Sequence, residues 1–315
     1  MPHTDSSTSN YPELFTRYEG NPILTAENWP YQANSVFNAG VAEYHGETLL
    51  LVRVEDMRGF SHLTVARSRD GLTNWEIDAK PTLLPDPENH PEESWGIEDS
   101  RIIYLDELQQ YAVLYTAYSE NGVLVSLAMT KDFRTFDRKG PVTLPENKDA
   151  ALFPRRFNGR WVLIHRPVPP TGGAHIWISH SPDLVHWGEN RILLKARSGA
   201  WWDANKIGLN APPIETDEGW LIIYHGVRQT CAGCIYRLGL ALLELETLEV
   251  THRGQQWVFG PKEPYEQIGD VAYVTFPCGA IYNKSIDELR IYYGASDMSI
   301  ACATAKMSDL LAFLK

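Results

Sequence analysis

The sequence predicts an all-β chain, a five-bladed β-propeller with a short C-terminal helix. Three observations predict it. Five short apolar runs, each entered through a polar or glycine turn, recur at 46–53, 110–116, 159–165, 219–225 and 288–293, as in Leu49-Leu50-Leu51-Val52 and Leu221-Ile222-Ile223-Tyr224. Each run has a strand-like segment before it and one rich in small residues after it, and long helical periodicity is nearly absent. Three of the units then carry a Ser/Thr-x-Asp turn that ends in an aromatic residue. The runs lie roughly 60 residues apart, somewhat above the usual length of a four-stranded blade.

The segments before the runs, 36–42, 97–104, 150–157, 209–214 and 274–281, are expected to be innermost and to line an axial channel. The segments after them, 63–68, 124–130, 175–181, 237–243 and 299–305, form the third strands. The turns Ser68-Arg69-Asp70, Thr130-Lys131-Asp132 and Ser181-Pro182-Asp183 place a carboxylate where it can cap its own turn, and Trp75, Phe136 and Trp187 start the outer strands. The fourth unit departs from this pattern, with Glu246-Thr247-Leu248-Glu249-Val250. The fifth ends in a helix expected from Ser308, an N-cap type of residue. Residues 1–16 read as an N-terminal arm and 17–315 as a single propeller and catalytic domain. Blades around an axis leave only short exposed edges, which favours this arrangement over a pair of β-sandwiches.

Composition narrows the function. A net charge of −12 argues against nucleic acid or an anionic membrane as partner, since both need a basic face. The first ten residues are polar, without a basic and then apolar leader, and no apolar run reaches spanning length, so a cytoplasmic protein is expected. Among the cysteines only Cys231-Ala232-Gly233-Cys234 has close spacing. With no second pair and no histidines at ligand spacing, these read as free thiols and no metal is expected. The abundance of Trp and Tyr suits a sugar ligand, whose C–H faces stack on rings.

The polar residues sort by the repeat. Asn38, Glu98, Asp99, Lys148, Asp149, Asn210 and Cys278 fall near innermost strands. Arg53, Glu55, Asp56, Tyr118, His165, Arg166, His225, Arg228 and Asp297 fall at the far ends of second strands. All would converge on one end of the channel. The central stretch is Trp95-Gly96-Ile97-Glu98-Asp99-Ser100-Arg101. Neighbouring strand residues face opposite ways, so one of Glu98 and Asp99 is expected in the pocket and the other as support. An acidic set (Asp56, Asp99, Asp297) and a basic set (Lys148, Arg166, Lys206, His225) emerge. A basic cluster needs either a bound anion or pairing with the carboxylates. Glycoside hydrolysis uses two carboxylates. With phosphate as the nucleophile, one acid and a cationic cradle suffice.

The motifs Val36-Phe37-Asn38-Ala39-Gly40, Gly96-Ile97-Glu98-Asp99-Ser100-Arg101, Asn147-Lys148-Asp149, His165-Arg166-Pro167, Lys206-Ile207-Gly208, Tyr224-His225-Gly226 and Gly294-Ala295-Ser296-Asp297, in this order, carry a resemblance to the glycoside hydrolase family 130 β-mannoside phosphorylases. That resemblance implies an inverting phosphorylase that cleaves β-1,4- or β-1,2-linked manno-oligosaccharides with inorganic phosphate and releases α-mannose 1-phosphate. Phosphate is then a co-substrate, and no cofactor is implied. Asp99 would be the proton donor, acting through the mannose 3-hydroxyl. Lys148, Arg166, Lys206, His225 and Tyr236 would bind phosphate; Asn38, Arg53, Arg58, Asp149 and Asp297 would hold the sugar. The family's usual Pro after the catalytic Asp is Ser100 here, which is expected to loosen the turn slightly. The retained basic residues favour a phosphorylase over the family's hydrolases. An inverting mannosidase with Asp56 or another pocket carboxylate as base, a mannosyltransferase and a non-catalytic sugar-binding propeller are the alternatives. The N-terminal arm is a candidate contact for a homo-oligomer.

Overall fold

The computed structural model describes residues 13–169, 173–231 and 233–315. Most of the expected N-terminal arm, residues 1–12, lies outside them. β1 (Thr16–Arg17) and β2 (Leu24–Thr25) come first. Blade one follows as β3 (Ser35–Tyr44), β4 (Glu47–Glu55), β5 (Ser61–Ser68) and β6 (Glu76–Ile77). Blade two is β7 (Ile97–Leu105), β8 (Gln110–Ser119), β9 (Gly122–Thr130) and β10 (Asp137–Pro141). Blade three is β11 (Asn147–Leu152), β12 (Trp161–Pro167), β13 (Ile176–Ser181) and β14 (Gly188–Leu194). In blade four, β15 (Lys206–Leu209) and β16 (Ile214–Thr216) both pair with β17 (Gly219–Thr230), followed by β18 (Gly233–Leu243) and β19 (Val250–Arg253). After the short helix α1 (Pro264–Gln267), blade five is β20 (Thr275–Asn283), β21 (Glu288–Ala295) and β22 (Ser299–Lys306), and α2 (Met307–Leu314) ends the chain. No helix is long and apolar enough to cross a membrane.

The second strands read as unbroken apolar runs because each feeds two cores. Leu49 and Leu51 of β4 pack against blade two, whereas Leu50, Val52 and Val54 pack against blade five. In β12, Val162 and Ile164 face blade four while Trp161 and Leu163 face blade two. Strand alternation therefore places an apolar residue on both faces, as in any strand buried on two sides. The core is accordingly split into sectors between adjacent blades rather than gathered at one centre.

The turn reading holds at the atomic level. Asp70 Oδ1 accepts from the backbone N–H of Leu72 and Thr73, both at 2.8 Å. Asp132 does the same for Arg134 and Thr135, and Asp183 for Val185 and His186. The departing fourth unit keeps the device with a longer acid: Glu244 Oε2 accepts from Glu246 and Thr247 N–H.

Two inner strands sit earlier than expected. β11 begins at Asn147 rather than at residue 150, and β15 at Lys206 rather than 209. The apolar runs that suggested the later positions stop at Pro154 and at Pro212-Pro213, which have no N–H to give a ladder. The strands instead include the polar residues that face the channel. The cap of α2 also differs. Ser308 lies inside the helix, and its N–H donates to Asp287 Oδ1 at 3.2 Å, so the cap is supplied by the β20–β21 connection.

β1 supplies the outermost strand of blade five, pairing Thr16 with Thr304 and Arg17 with Ala303. The chain's start thus closes the ring. Phe15, just before it, is buried against Phe259. Arg17 is the lock. It donates to both carboxylate oxygens of the fully buried Glu266 at 2.8 and 2.9 Å, and Tyr293 Oη donates to the same group at 2.7 Å. Arg17→Ala leaves that carboxylate without its cation, so a loss of about 3 kcal/mol in urea unfolding is expected.

Candidate active site

The site begins with three breaks in strand pairing. The β3–β4 register shifts between Phe37 and Gly40, β7–β8 between Glu98 and Arg101, and β11–β12 between Lys148 and Ala151. In the breaks sit Asn38, Asp99 and Asp149, with φ of 47°, 51° and 55°. Asn and Asp are the non-glycine residues that best tolerate this left-handed region. Each bulge re-aims a polar side chain into the axial cleft. The cleft has a volume of about 890 Å³. The bulge also corrects the expectation for Glu98 and Asp99. Both line the cleft, because the extra residue cancels the alternation that would have separated them.

At one end, Asp99 is buried and accepts from Asn38 Nδ2 at 3.0 Å and Arg53 Nη1 at 3.1 Å, both on Oδ1. Among the described residues no donor reaches Oδ2. Arg53 spends its other groups on Glu98 Oε1 at 3.1 Å and Ser61 Oγ at 2.9 Å, with its plane 4.4 Å from the Phe37 ring. Asn38 fits only because Gly294 faces it: a Cβ there would lie 2.0 Å from Asn38 Oδ1. Asp297, on the β21–β22 turn, completes this end. Burial pushes its carboxyl up to about 7, with Asp99 and Glu98 adding to the rise and Arg53 opposing it.

Ser100 does not loosen the bulge. Its Oγ donates to Leu51 O at 3.0 Å and accepts from Gly40 N at 3.2 Å, tying the bulge to blade one. Arg101 bonds the backbone carbonyl of Asp99 at 2.9 Å, not its carboxylate, and reaches Leu209 O and Asn210 O across the channel. It clamps β7 to blade four from within.

The opposite end is cationic. Arg166 Nε donates to Asp149 Oδ2 at 2.7 Å, and Arg101 and His225 each lie 3.6 Å from that carboxylate. Asp149, expected at the sugar, is thus a wholly buried counter-ion within the basic set. Burial alone would raise its pKa, but Arg166, Arg101 and Lys148 hold it below the usual carboxylate range. Gly208 is required here, since a Cβ would meet Asp149 Oδ2 at 2.2 Å. His225, expected as a cation, is neutral: burial pushes it down to about 3 despite Asp149. Lys206 lies 5.4 Å from the Tyr236 ring centroid, and its pKa is lowered, first by burial and then by Arg166. Among the described residues neither Lys148 nor Lys206 has an ion-pair partner.

Three expected residues are elsewhere. Arg58 is 74% exposed and pairs with Asp56 at 2.7 Å. Asp56 also accepts from the N–H of Arg58 and Phe60, so it caps the β4–β5 turn and does not reach the cleft. His165 points to the other face of blade three, where Ser179 Oγ lies 2.7 Å from Nε2 and Asn147 Nδ2 2.9 Å from Nδ1. The cleft walls also use Trp95, Tyr118, Glu120, Glu146, Val274 and Phe276. Tyr118 was legible from its strand end. Val271 lies in a connection that carries no repeat signal, whereas Val274 and Phe276 fall in the segment 274–281 expected to line the channel, where β20 begins at Thr275. Cys231 and Cys234 are free thiols at the β17–β18 turn, with Ala232 of that motif outside the described residues.

The Asp297 environment makes stability depend on pH. Its folded pKa, about 7, lies above the unfolded 3.8, so its contribution is fully present below about pH 4 and lost as pH rises through 7. Relative to Asp297→Asn, the native chain should lose urea stability between about pH 5 and about pH 8. A difference that stays flat across this range would contradict the assignment.

The family model described as beta-1,4-mannooligosaccharide phosphorylase matches residues 8–315. The beta-1,2-mannobiose phosphorylase of Listeria innocua is 35% identical, over 94% of this chain and 97% of the relative. The beta-1,4-mannooligosaccharide phosphorylase of Ruminococcus albus is 32% identical, over 96% and 91%. The solved Listeria innocua enzyme in complex with beta-1,2-mannobiose superposes with a TM-score of 0.86 at 33% identity, over 95% of this chain and 99% of that one. Sequence and fold agree along the whole matched length, and the chain belongs to glycoside hydrolase family 130, the mannoside phosphorylases.

Proposed function

We propose that this chain is an inverting phosphorylase of β-mannosides, with Asp99 as its acid and Lys148, Arg166 and Lys206 as its phosphate cradle. One observation carries the reading: among the described residues, Asp99 keeps one carboxylate oxygen without a donor in the same cleft as two lysines that form no ion pair. Phosphate needs no deprotonation, only charge compensation and aim. One phosphate oxygen attacks the anomeric carbon as the glycosidic C–O bond breaks. The electron pair leaves on the glycosidic oxygen, which takes the Asp99 proton directly or through the mannose 3-hydroxyl. The products are α-mannose 1-phosphate and the shortened sugar. Neutral His225 offers phosphate a hydrogen bond without adding charge, and Tyr236 packs against Lys206. Asn38 and Arg53 orient Asp99 and, with Asp297, hold the mannose.

The base that the sequence offers by name for an inverting hydrolase, Asp56, does not reach the cleft. An inverting hydrolase needs a second free carboxylate to deprotonate water. Asp56 is bound in its turn, Glu98 is tied to Arg53, and Asp149 is shared among cations.

The reaction is tested with β-1,4- and β-1,2-mannobiose, with and without phosphate. Sugar 1-phosphate should form only with phosphate, and equal turnover in its absence would overturn the reading. Asp99→Asn should lower kcat by about 10²–10⁴-fold. Lys206→Ala should raise the KM for phosphate well before that for the sugar, by about ten-fold or more.

A further inference from the structure

The mouth of the cleft carries an aromatic corner that the chemistry above does not use. Trp95 is 42% exposed and Tyr118 37%, and both line the cleft. Their rings meet edge to face, centroids 5.1 Å apart and planes at 86°. The backbone holds them there: Trp95 N donates to Tyr118 O at 2.8 Å, and Tyr118 N to Gly96 O at 3.1 Å. Other tryptophans of the outer sheet behave differently. The indole N–H groups of Trp75 and Trp187 are bound to Leu72 O and Leu184 O, and those rings are part-buried. Among the described residues neither the Trp95 indole N–H nor the Tyr118 hydroxyl has a partner. Two large rings are thus held rigidly, half in water, with free polar tips, a short distance along the chain from Glu98 and Asp99. Such a surface matches a pyranose, whose C–H face stacks on a ring while its hydroxyls take the polar tips.

We propose that Trp95 and Tyr118 form the platform for the leaving sugar, the residue released when the glycosidic bond breaks and bound as acceptor in the reverse direction. The proposal rests on the phosphorolytic reading of the same cleft. The cations and Asp149 occupy the phosphate end, and Asn38, Arg53 and Asp297 surround the acid. The aromatic corner is the exposed wall beside the acid, where the departing sugar must pass into solvent. Glu120 and Asn121 on the β8–β9 connection and Glu146 add acceptors beside it for that sugar's hydroxyls. The platform sets acceptor affinity and leaves phosphate binding alone.

The test is steady-state kinetics of Trp95→Ala, Tyr118→Ala and Trp95→Phe in both directions. The two alanine variants should raise the KM for mannobiose, and for the acceptor with mannose 1-phosphate as donor, by about ten-fold. The KM for phosphate and for mannose 1-phosphate should stay within about two-fold, and Trp95→Phe should recover most of the loss. Acceptor KM unchanged in both alanine variants would overturn the platform. So would a phosphate KM that rises in step, since that reports a collapsed cleft. If mannobiose is instead hydrolysed without phosphate, the reaction assigned above fails, but the KM for the disaccharide still decides the platform.

Discussion

A regular strand can turn only every second side chain toward the axis, and this protein breaks that rule in the inner strands of four blades, three of them neighbours whose breaks carry polar residues. The bulges at Asn38, Asp99 and Asp149 hold left-handed backbone that costs on the order of 1 kcal/mol apiece. Inter-blade packing sustains that cost. Each bulge lies on a strand whose partners are locked by apolar side chains on both faces. The reward is positional. The carboxylate of Asp99 is fixed from two directions by Asn38 and Arg53 before any sugar arrives, and its backbone is clamped by Arg101. Ser100 joins the same bulge to the neighbouring blade, so the candidate acid sits on sheet rather than on loop.

Charge is then separated along the cleft. Glu98, Asp99 and Asp297 crowd one arginine at one end, while Lys148, Lys206, Arg166 and Arg101 outnumber Asp149 at the other. Burying these groups is costly unless each is compensated. The protein compensates three ways. It pairs Arg166 and Arg101 with Asp149; it keeps His225 neutral; it lets Asp297 hold its proton to near neutrality. What remains without an ion pair among the described residues is the pair of lysines, and an inorganic oxyanion is suited to complete that end. Glycines at 208 and 294 supply the space, each facing a carboxylate or amide that a Cβ would displace.

Such a site requires a closed ring, because its residues come from all five blades. Closure is made by two residues of β1 and by Arg17 reaching a buried glutamate in the connection before blade five. That connection also supplies Val271 and Val274 to the cleft wall. The charge network at Glu266 is therefore coupled to the cleft through the segment between α1 and β20, where Val274 N donates to Glu266 O at 3.1 Å.

The blades, their number and their turn chemistry were legible along the chain, because a strand buried on both faces must be apolar throughout and a self-capping turn needs its acid at one spacing. Asp99, Asn38, Arg53, Lys148 and Arg166 were legible as well, since the repeat places equivalent positions at the same depth, and Lys206 through the family resemblance. The charge state of His225, the counter-ion role of Asp149 and the shared facing of Glu98 and Asp99 were not. They depend on burial and on a break in strand register, and both arise from contacts between residues far apart in the chain. Asp56 and Arg58 satisfy each other within one turn, although their position in the repeat pointed toward the cleft. Sequence alone determined which side chains could reach the axis; only tertiary packing decided which are charged, paired or free there, because desolvation and Coulomb energies are set by three-dimensional neighbours.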